Sequence, residues 1–262
     1  MIARLSVRIV AWSVLAYLML PLIVILGSSL TSTEFLAFPP QGLTLRWYQQ
    51  MLHDQSYLAA FSTSTMLALA ATVLSLLLTV PASLVLARYE FRGKGVLSAI
   101  LMAPLTLPHI VLGAALLQFG GYFGLTRSFL SLLIGHTIIV APFVLRSVLS
   151  MMTPEQRALE EASSDLGANP WTTFFLVILP RIRPGIVTGS IFAFISSWIN
   201  VELSIFNTTA DLNTIPVKLF NYVQYTIDPT IAAVSGATIL VAVVAIVILD
   251  LTVGLDMLSD RS

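Results

Sequence analysis

The chain has 262 residues, 57% of them hydrophobic and 10% charged, with thirteen basic and thirteen acidic side chains and no cysteine. A soluble domain of this length cannot bury so much apolar surface, so a bilayer is the expected solvent. The balanced charge leaves no footprint for nucleic acid, and the lack of cysteine excludes disulfides, thiolate metal sites and thiol catalysis.

A spanning helix crosses about 30 Å of hydrocarbon at about 1.5 Å per residue and needs roughly 20 residues. Six segments qualify: 9–30, 60–87, 96–119, 129–150, 185–206 and 231–254. The first follows Arg4 and Arg8 and stays uncharged from Ile9 to Thr33. It exceeds the apolar core of a signal peptide and lacks a small-x-small cleavage site, so it is read as a retained span. FPPQGLTLRWYQQML (38–52) then joins a diproline to a short amphipathic helix. Its Trp47 and Tyr48 suit a membrane interface, as an anchor or as a contact for a partner. Lone prolines (Pro21, Pro81, Pro142) are tolerated within spans. The third span carries Pro104 and Pro108 and is expected to be kinked or partly unwound. His109 follows the second of these, either packing on backbone or lining a pathway. In the fourth span, His136 beside Gly135 suits an interhelical hydrogen bond.

With the N-terminus inside, ten of the thirteen Lys and Arg residues fall on the cytoplasmic side, leaving Arg46, Arg127 and Lys218 outside. The positive-inside rule then places both termini and the loop 151–184 in the cytoplasm. That loop is helix, hinge, helix. Thr153 caps, Pro154 fits the first helical position and Gln156 completes a capping box. Gly167 supplies a left-handed stop near Leu166. Asn169 and Pro170 start a second, short helix, expected to end near Leu179-Pro180. Ala158, Leu159, Ala162 and Leu166 form an apolar stripe on the first helix, with Glu161 at its edge one turn from Arg157. Such a stripe requires a cover.

The fifth span contains SSWINVELSIFNTT (196–209), in which Glu202 is the one acid well inside a span. In lipid it would cost about 2.5–3.5 kcal/mol, so it should face a cavity or a partner. Helical spacing puts Trp198, Glu202 and Phe206 on one face, an acid between aromatics that suits a cation. The alternative is a structural acid near the outer interface, with Asn200 and Asn207 serving either purpose. Asp228-Pro229 reads as a turn, with an external gate including Tyr225 as the alternative. Asp250 and Asp256 mark the inner end of the sixth span.

The three histidines lack metal spacing, no Walker A sequence is present, and Gly93-Lys94 lacks the flanking residues of one. An intramembrane enzyme would need paired aspartates, a Ser/His dyad or zinc spacing, none of which is found. No internal repeat supports an inverted-repeat carrier.

Glu161-Ala162-Ser163, three residues, Gly167, nine residues, then Val177-Ile178-Leu179-Pro180 resembles the EAA motif of ABC importer permeases, E-A-A-x3-G-x9-I-x-L-P. Ser163 replaces the second alanine and Val177 the isoleucine. With FPPQGLTLRWY, ARYEFRGKG and IDPTIAAVS, the resemblance extends over nearly the whole chain, to the type I importer permeases of the spermidine/putrescine class. It implies an all-α, six-span permease domain in a bacterial inner membrane, forming half of a translocation pathway. It implies a second permease chain, a sibling rather than a copy, together with two ATPase subunits that bind ATP and Mg and an extracytoplasmic binding protein. The chain itself would be non-catalytic and bind no cofactor. Its coupling residues would be Glu161, Ala162, Ser163, Gly167, Leu179 and Pro180, docking in a groove on the ATPase. The implied cargo is a polyamine or related amine; similar permeases carry aminoalkylphosphonate, opines, thiamine or ferric ion. An ion-coupled secondary carrier, with Glu202 titrating, would have no use for such a hairpin.

Overall fold

The computed structural model describes the backbone of residues 2–253 and the side chains of 6–244 and Val247. Asp256 and Arg261 lie outside the described residues, as do the side chains of Arg4 and Asp250. Every regular element among the described residues is helical. The chain divides into two compact units, Lys218–Val243 with the residues up to Ala59, and Ala60–Val217 with those from Val244.

In the first unit, α1 (Ile2–Ser28) exposes apolar side chains such as Trp12, Tyr17 and Leu20, as a helix solvated by lipid does. Trp47 and Tyr48, which suit a membrane interface, pack their polar tips within the chain. Both lie on α2 (Arg46–His53) and turn toward the end of α1. The buried Trp47 indole donates to the Thr31 carbonyl at 2.8 Å, and the Tyr48 hydroxyl lies 2.8 Å from Ser29 Oγ. Each aromatic body packs while its polar tip finds a partner. The helix α3 (Gln55–Arg88) begins in this unit, with Asp54 accepting from Ser56 N and Oγ. Lys218 on α10 (Ile215–Val223) places its ammonium 4.2 Å above the Tyr57 ring. Asp228 caps α11 (Pro229–Val253) by accepting from Thr230 N, and also accepts from the Tyr222 hydroxyl. Tyr225 is exposed.

The second unit is organised by α6 (Phe129–Leu149) and α9 (Leu179–Trp198). Gly185 and Gly189, spaced G-x-x-x-G, let these helices touch: a Cβ on Gly189 would lie 2.8 Å from Val144 Cα, and one on Gly185 2.6 Å from the Ser147 carbonyl. Val140, Val144, Val148, Ile178, Ile182 and Leu203 fill the core around this contact.

Among the described residues, four helices are long and apolar enough to cross a membrane, or five with the bent pair α4 (Lys94–Met102) and α5 (His109–Phe123) counted as one. That pair, with the short turn Ala103–Leu105, is the expected third span, and it bends by 105° where Pro104 and Pro108 interrupt it. The sixth expected span falls on α11, whose described apolar part, Pro229–Val244, is shorter than a spanning helix. Two boundaries differ from expectation. The helix after Asn169 does not stop at Leu179-Pro180: α8 (Pro170–Thr173) passes through a π turn, Phe174–Ile178, into α9. The π turn shifts the hydrogen-bond register, with Leu179 N donating to the Phe174 carbonyl, and so admits Pro180 without a break. The fifth helix also ends at Trp198, well short of 206.

Candidate functional site

Two places concentrate polar chemistry in the second unit. The first is the hairpin, α7 (Pro154–Asp165) followed by α8. Thr153 Oγ1 accepts from Gln156 N at 3.4 Å, and Asn169 Oδ1 accepts from Thr172 N at 2.9 Å. The reciprocal half of the capping box is absent, since Thr153 N donates to the Met151 carbonyl. At the far end Gly167 has φ +81°, with Gly167 N donating to Ser164 O and Ala168 N to Ser163 O. This is the paired-bond stop that glycine permits at little cost. Ser163 Oγ lies 3.0 Å from Thr173 Oγ1 and closes the hairpin across its hinge.

The α7 face turned inward is polar: Gln156 and Glu160 are buried and Ser163 half-buried. The apolar stripe is the outward face, with Ala158, Leu159, Ala162 and Leu166 all exposed. Leu166 is 88% exposed, and Trp171 on α8 is 73% exposed and stacked on Phe175. The motif residues divide accordingly. Glu161, Ala162, Gly167 and Pro180 are exposed, whereas Ser163 and Leu179 are half-buried. Glu161 meets Arg157 Nε at 3.1 Å in an exposed pair. Glu160 pairs with Arg88, the last residue of α3, and burial pushes its carboxyl above the ordinary range against the pull of that guanidinium. Neither Arg88 nor Glu160 was singled out from sequence; 72 positions separate them.

The second place is the break after Trp198. Glu202 lies beyond the helix end, so the shared face of Trp198, Glu202 and Phe206 does not form. Trp198 is buried against Phe194 and Phe61, and Phe206 ends a 3-10 turn, Ser204–Phe206. The cause is a set of buried polar groups that satisfy the broken backbone. Asn200 Oδ1 accepts from Leu203 N at 2.9 Å. Asn207 Nδ2 donates to the Gly113 carbonyl at 3.0 Å. The Ser204 hydroxyl donates to the Asn200 carbonyl and is 2.9 Å from His136 Nε2; His136 Nδ1 is 2.7 Å from Ser197 Oγ. The two ring nitrogens of His136 bridge Ser197 and Ser204. His136 thus makes the interhelical bonds expected of it. Gly113 allows the close approach, since a Cβ there would lie 2.7 Å from the Leu203 carbonyl.

Beside this network stand His109, at the start of α5, and Glu202. Asn200, its oxygen already engaged, turns its amide nitrogen to His109 Nδ1 at 3.3 Å. His109 Nδ1 lies 4.0 Å from Glu202 Oε2, beyond hydrogen-bond distance. The Glu202 side chain is 63% exposed. His109 and Glu202 thus lie side by side at the break without a hydrogen bond between them. Two asparagines within one apolar run are the signal that could have marked the break, because their side chains compete for backbone groups.

The family described as "Binding-protein-dependent transport system inner membrane component" matches residues 79–256. The chain is 29% identical over 235 residues to the spermidine/putrescine transport system permease protein PotC of Escherichia coli K12, covering 90% of this chain and 89% of the relative. It is 32% identical over 216 residues to the putrescine transport system permease protein PotI of the same organism, covering 79% and 75%. In fold it is similar to a bacterial ABC transporter involved in the import of the acidic polysaccharide alginate, with a TM-score of 0.67 over 95% of this chain and 94% of that one, at 19% identity.

Proposed function

Because the chain belongs to the family of binding-protein-dependent transport system inner membrane components, we propose that its hairpin is the surface on which a cytoplasmic ATPase acts and that its helix break borders the cargo pathway. The chain is a permease subunit of an ABC importer and resides in the inner membrane. In this reading it forms one permease domain of six spans with both termini in the cytoplasm, and it carries out no chemistry of its own. A sibling permease completes the pore, two ATPase subunits bind ATP and Mg, and an extracytoplasmic protein delivers cargo.

The observation that carries the reading is the inverted hairpin. Its polar face is consumed within the chain, while Leu159, Leu166 and Trp171 face outward on a helix pair stiffened by two caps and a closed hinge. A stiff, apolar, unpartnered surface suits docking and force transfer. Glu161 is free to exchange its exposed Arg157 for a basic residue of the partner. Of the motif, Glu161, Ala162 and Gly167 make the contact, and Ser163, Leu179 and Pro180 hold its shape.

The cargo is a polyamine or related small amine. The relatives named for spermidine and putrescine support this, and so does a carboxylate at Glu202 that lacks a cation at hydrogen-bond distance. Trp198 shapes the wall from within rather than stacking on cargo, and Phe206 is not on one helical face with Glu202. Reconstitution tests the assignment. The chain and its sibling permease are expected to be inert in liposomes alone and to import putrescine with the ATPase, ATP and binding protein present. Putrescine uptake by the permease pair without an ATPase would sink the reading. Glu202→Gln is expected to weaken putrescine uptake about tenfold, on the scale of one lost charged contact; unchanged kinetics would remove Glu202 from the pathway.

A further inference from the structure

We propose that Arg88 is a positioning residue for transport: it ties the hairpin to the second span, so that movement of α7 reaches α3 through the Arg88–Glu160 ion pair. The proposal rests on the reading of the hairpin as the ATPase-facing surface.

Adjacent acids on α7 have opposite assignments. Glu161 points outward to Arg157, and both side chains are well exposed, at 67% and 62%. Glu160 points inward to Arg88, with exposures of 11% and 17%. Outward placement suits exchange with a partner. Inward placement suits permanence, because removing either member would leave a poorly solvated charge without its counter-ion.

Arg88 is the terminal residue of α3, a helix of 34 residues and about 50 Å. Its guanidinium also lies 3.5 Å from Met152 Sδ, immediately before the Thr153 cap. The pair therefore joins the end of one rod to the first two turns of another.

What lies around the pair gives it its importance. A pocket of about 630 Å³ separates the end of α3 from the hairpin, lined by Leu84, Arg88, Tyr89, Glu160, Ser164 and Phe174 among others. Well-packed helices transmit displacement over their whole contact, but a gap transmits none. Across this pocket the ion pair links the two elements directly. A guanidinium is suited to the task, with its planar fork and its charge at every working pH.

The absence of cysteine allows single spin labels to be placed at will. A label at Asp165→Cys reports on the hairpin, and one at Val85→Cys reports on the inner end of α3. Both are read in the assembled transporter, nucleotide-free and trapped with ATP and vanadate. With the pair intact, both labels should respond to nucleotide. In Glu160→Gln and in Arg88→Gln the Asp165 response should persist and the Val85 response should be lost. The charge swap Arg88→Glu with Glu160→Arg should restore it, a recovery that only a pairwise link explains. A Val85 response equal to wild type in both single variants overturns the proposal, as does no Val85 response with the pair intact. Loss of the ATPase from the purified Glu160→Gln complex also overturns it, by placing Glu160 in the docking surface. An Asp165 label silent to nucleotide in the unaltered pair would instead sink the docking reading itself.

Discussion

The hairpin and the helix break use polar residues in opposite ways. At the break, His136, Asn200, Ser204 and Asn207 are neutral and buried, and their bonds satisfy one another and the interrupted backbone. In the hairpin the inward polar face carries a buried charge pair, and the outward side presents a bare apolar stripe beside the exposed Arg157–Glu161 pair. A neutral, saturated network holds one geometry; a bare surface with one charged tie is built to be handled. On the proposed reading, the break is a fixed feature of the fold and the hairpin is the part that moves.

Replacing Gly167 by proline should produce the largest effect on this contrast. Proline holds φ near −65° and has no N–H, whereas Gly167 sits at +81° and donates to Ser164. The hinge stop would open and the two hairpin helices would lose their fixed angle. Uptake should fall to the background of cells lacking the chain while membrane insertion and helix content, read by fractionation and circular dichroism, stay unchanged. Normal coupled transport would show that the hinge is not needed. An alanine at 167 meets no atom within 4 Å, so its cost is backbone strain alone and its defect should be milder.

At the break the expected failure is of stability. His136→Leu leaves Ser197 and Ser204 facing a hydrocarbon side chain, each short of a partner. A buried unsatisfied polar group costs about 1–3 kcal/mol, so the purified chain should lose several degrees of thermal midpoint in detergent. Gly167→Ala should leave that midpoint nearly unaltered. If both substitutions lowered it equally, the division between a fixed and a handled region would not hold.

The two regions also differed in how far they could be read from sequence. Caps, hinge and stripe of the hairpin are local: Thr153-Pro154, Gly167 and Asn169-Pro170 act on neighbours within a few positions, and each formed in place. The long continuation through Pro180 did not show, because a π turn leaves no mark in apolar periodicity. At the break, the hydrophobic run continued past Trp198 while the backbone did not. The groups that hold the break include the Gly113 carbonyl of α5 and the His136 ring of α6, and such partners cannot be read along one segment. The same holds for Arg88 and Glu160, and for Trp47, whose partner Thr31 is 16 positions away.

The smallest effect expected is one of pH, and it separates the regions most cleanly. Burial raises the Glu160 carboxyl above its ordinary value of 4.5, and Arg88 offsets this only in part. The folded hairpin then holds the Glu160 proton more tightly than the unfolded chain does. That contribution to stability is fully present below pH 4.5 and is lost as pH rises through the raised folded value. Glu155 on the same helix behaves oppositely, since the Thr153 hydroxyl holds its carboxyl below 4.5, and its contribution is lost only at more acidic pH. Hydrogen exchange of α7 amides, corrected for intrinsic rates, should therefore show protection declining just above pH 4.5. Glu160→Gln should abolish that decline without affecting the more acidic one, and the amides around Asn200 and Ser204 should show neither. A flat α7 profile in the unaltered chain would mean that Arg88 fully compensates the burial. A decline confined to α7 would mean that the charged tie costs the hairpin stability at neutral pH, as expected of a residue kept for transmission rather than for folding.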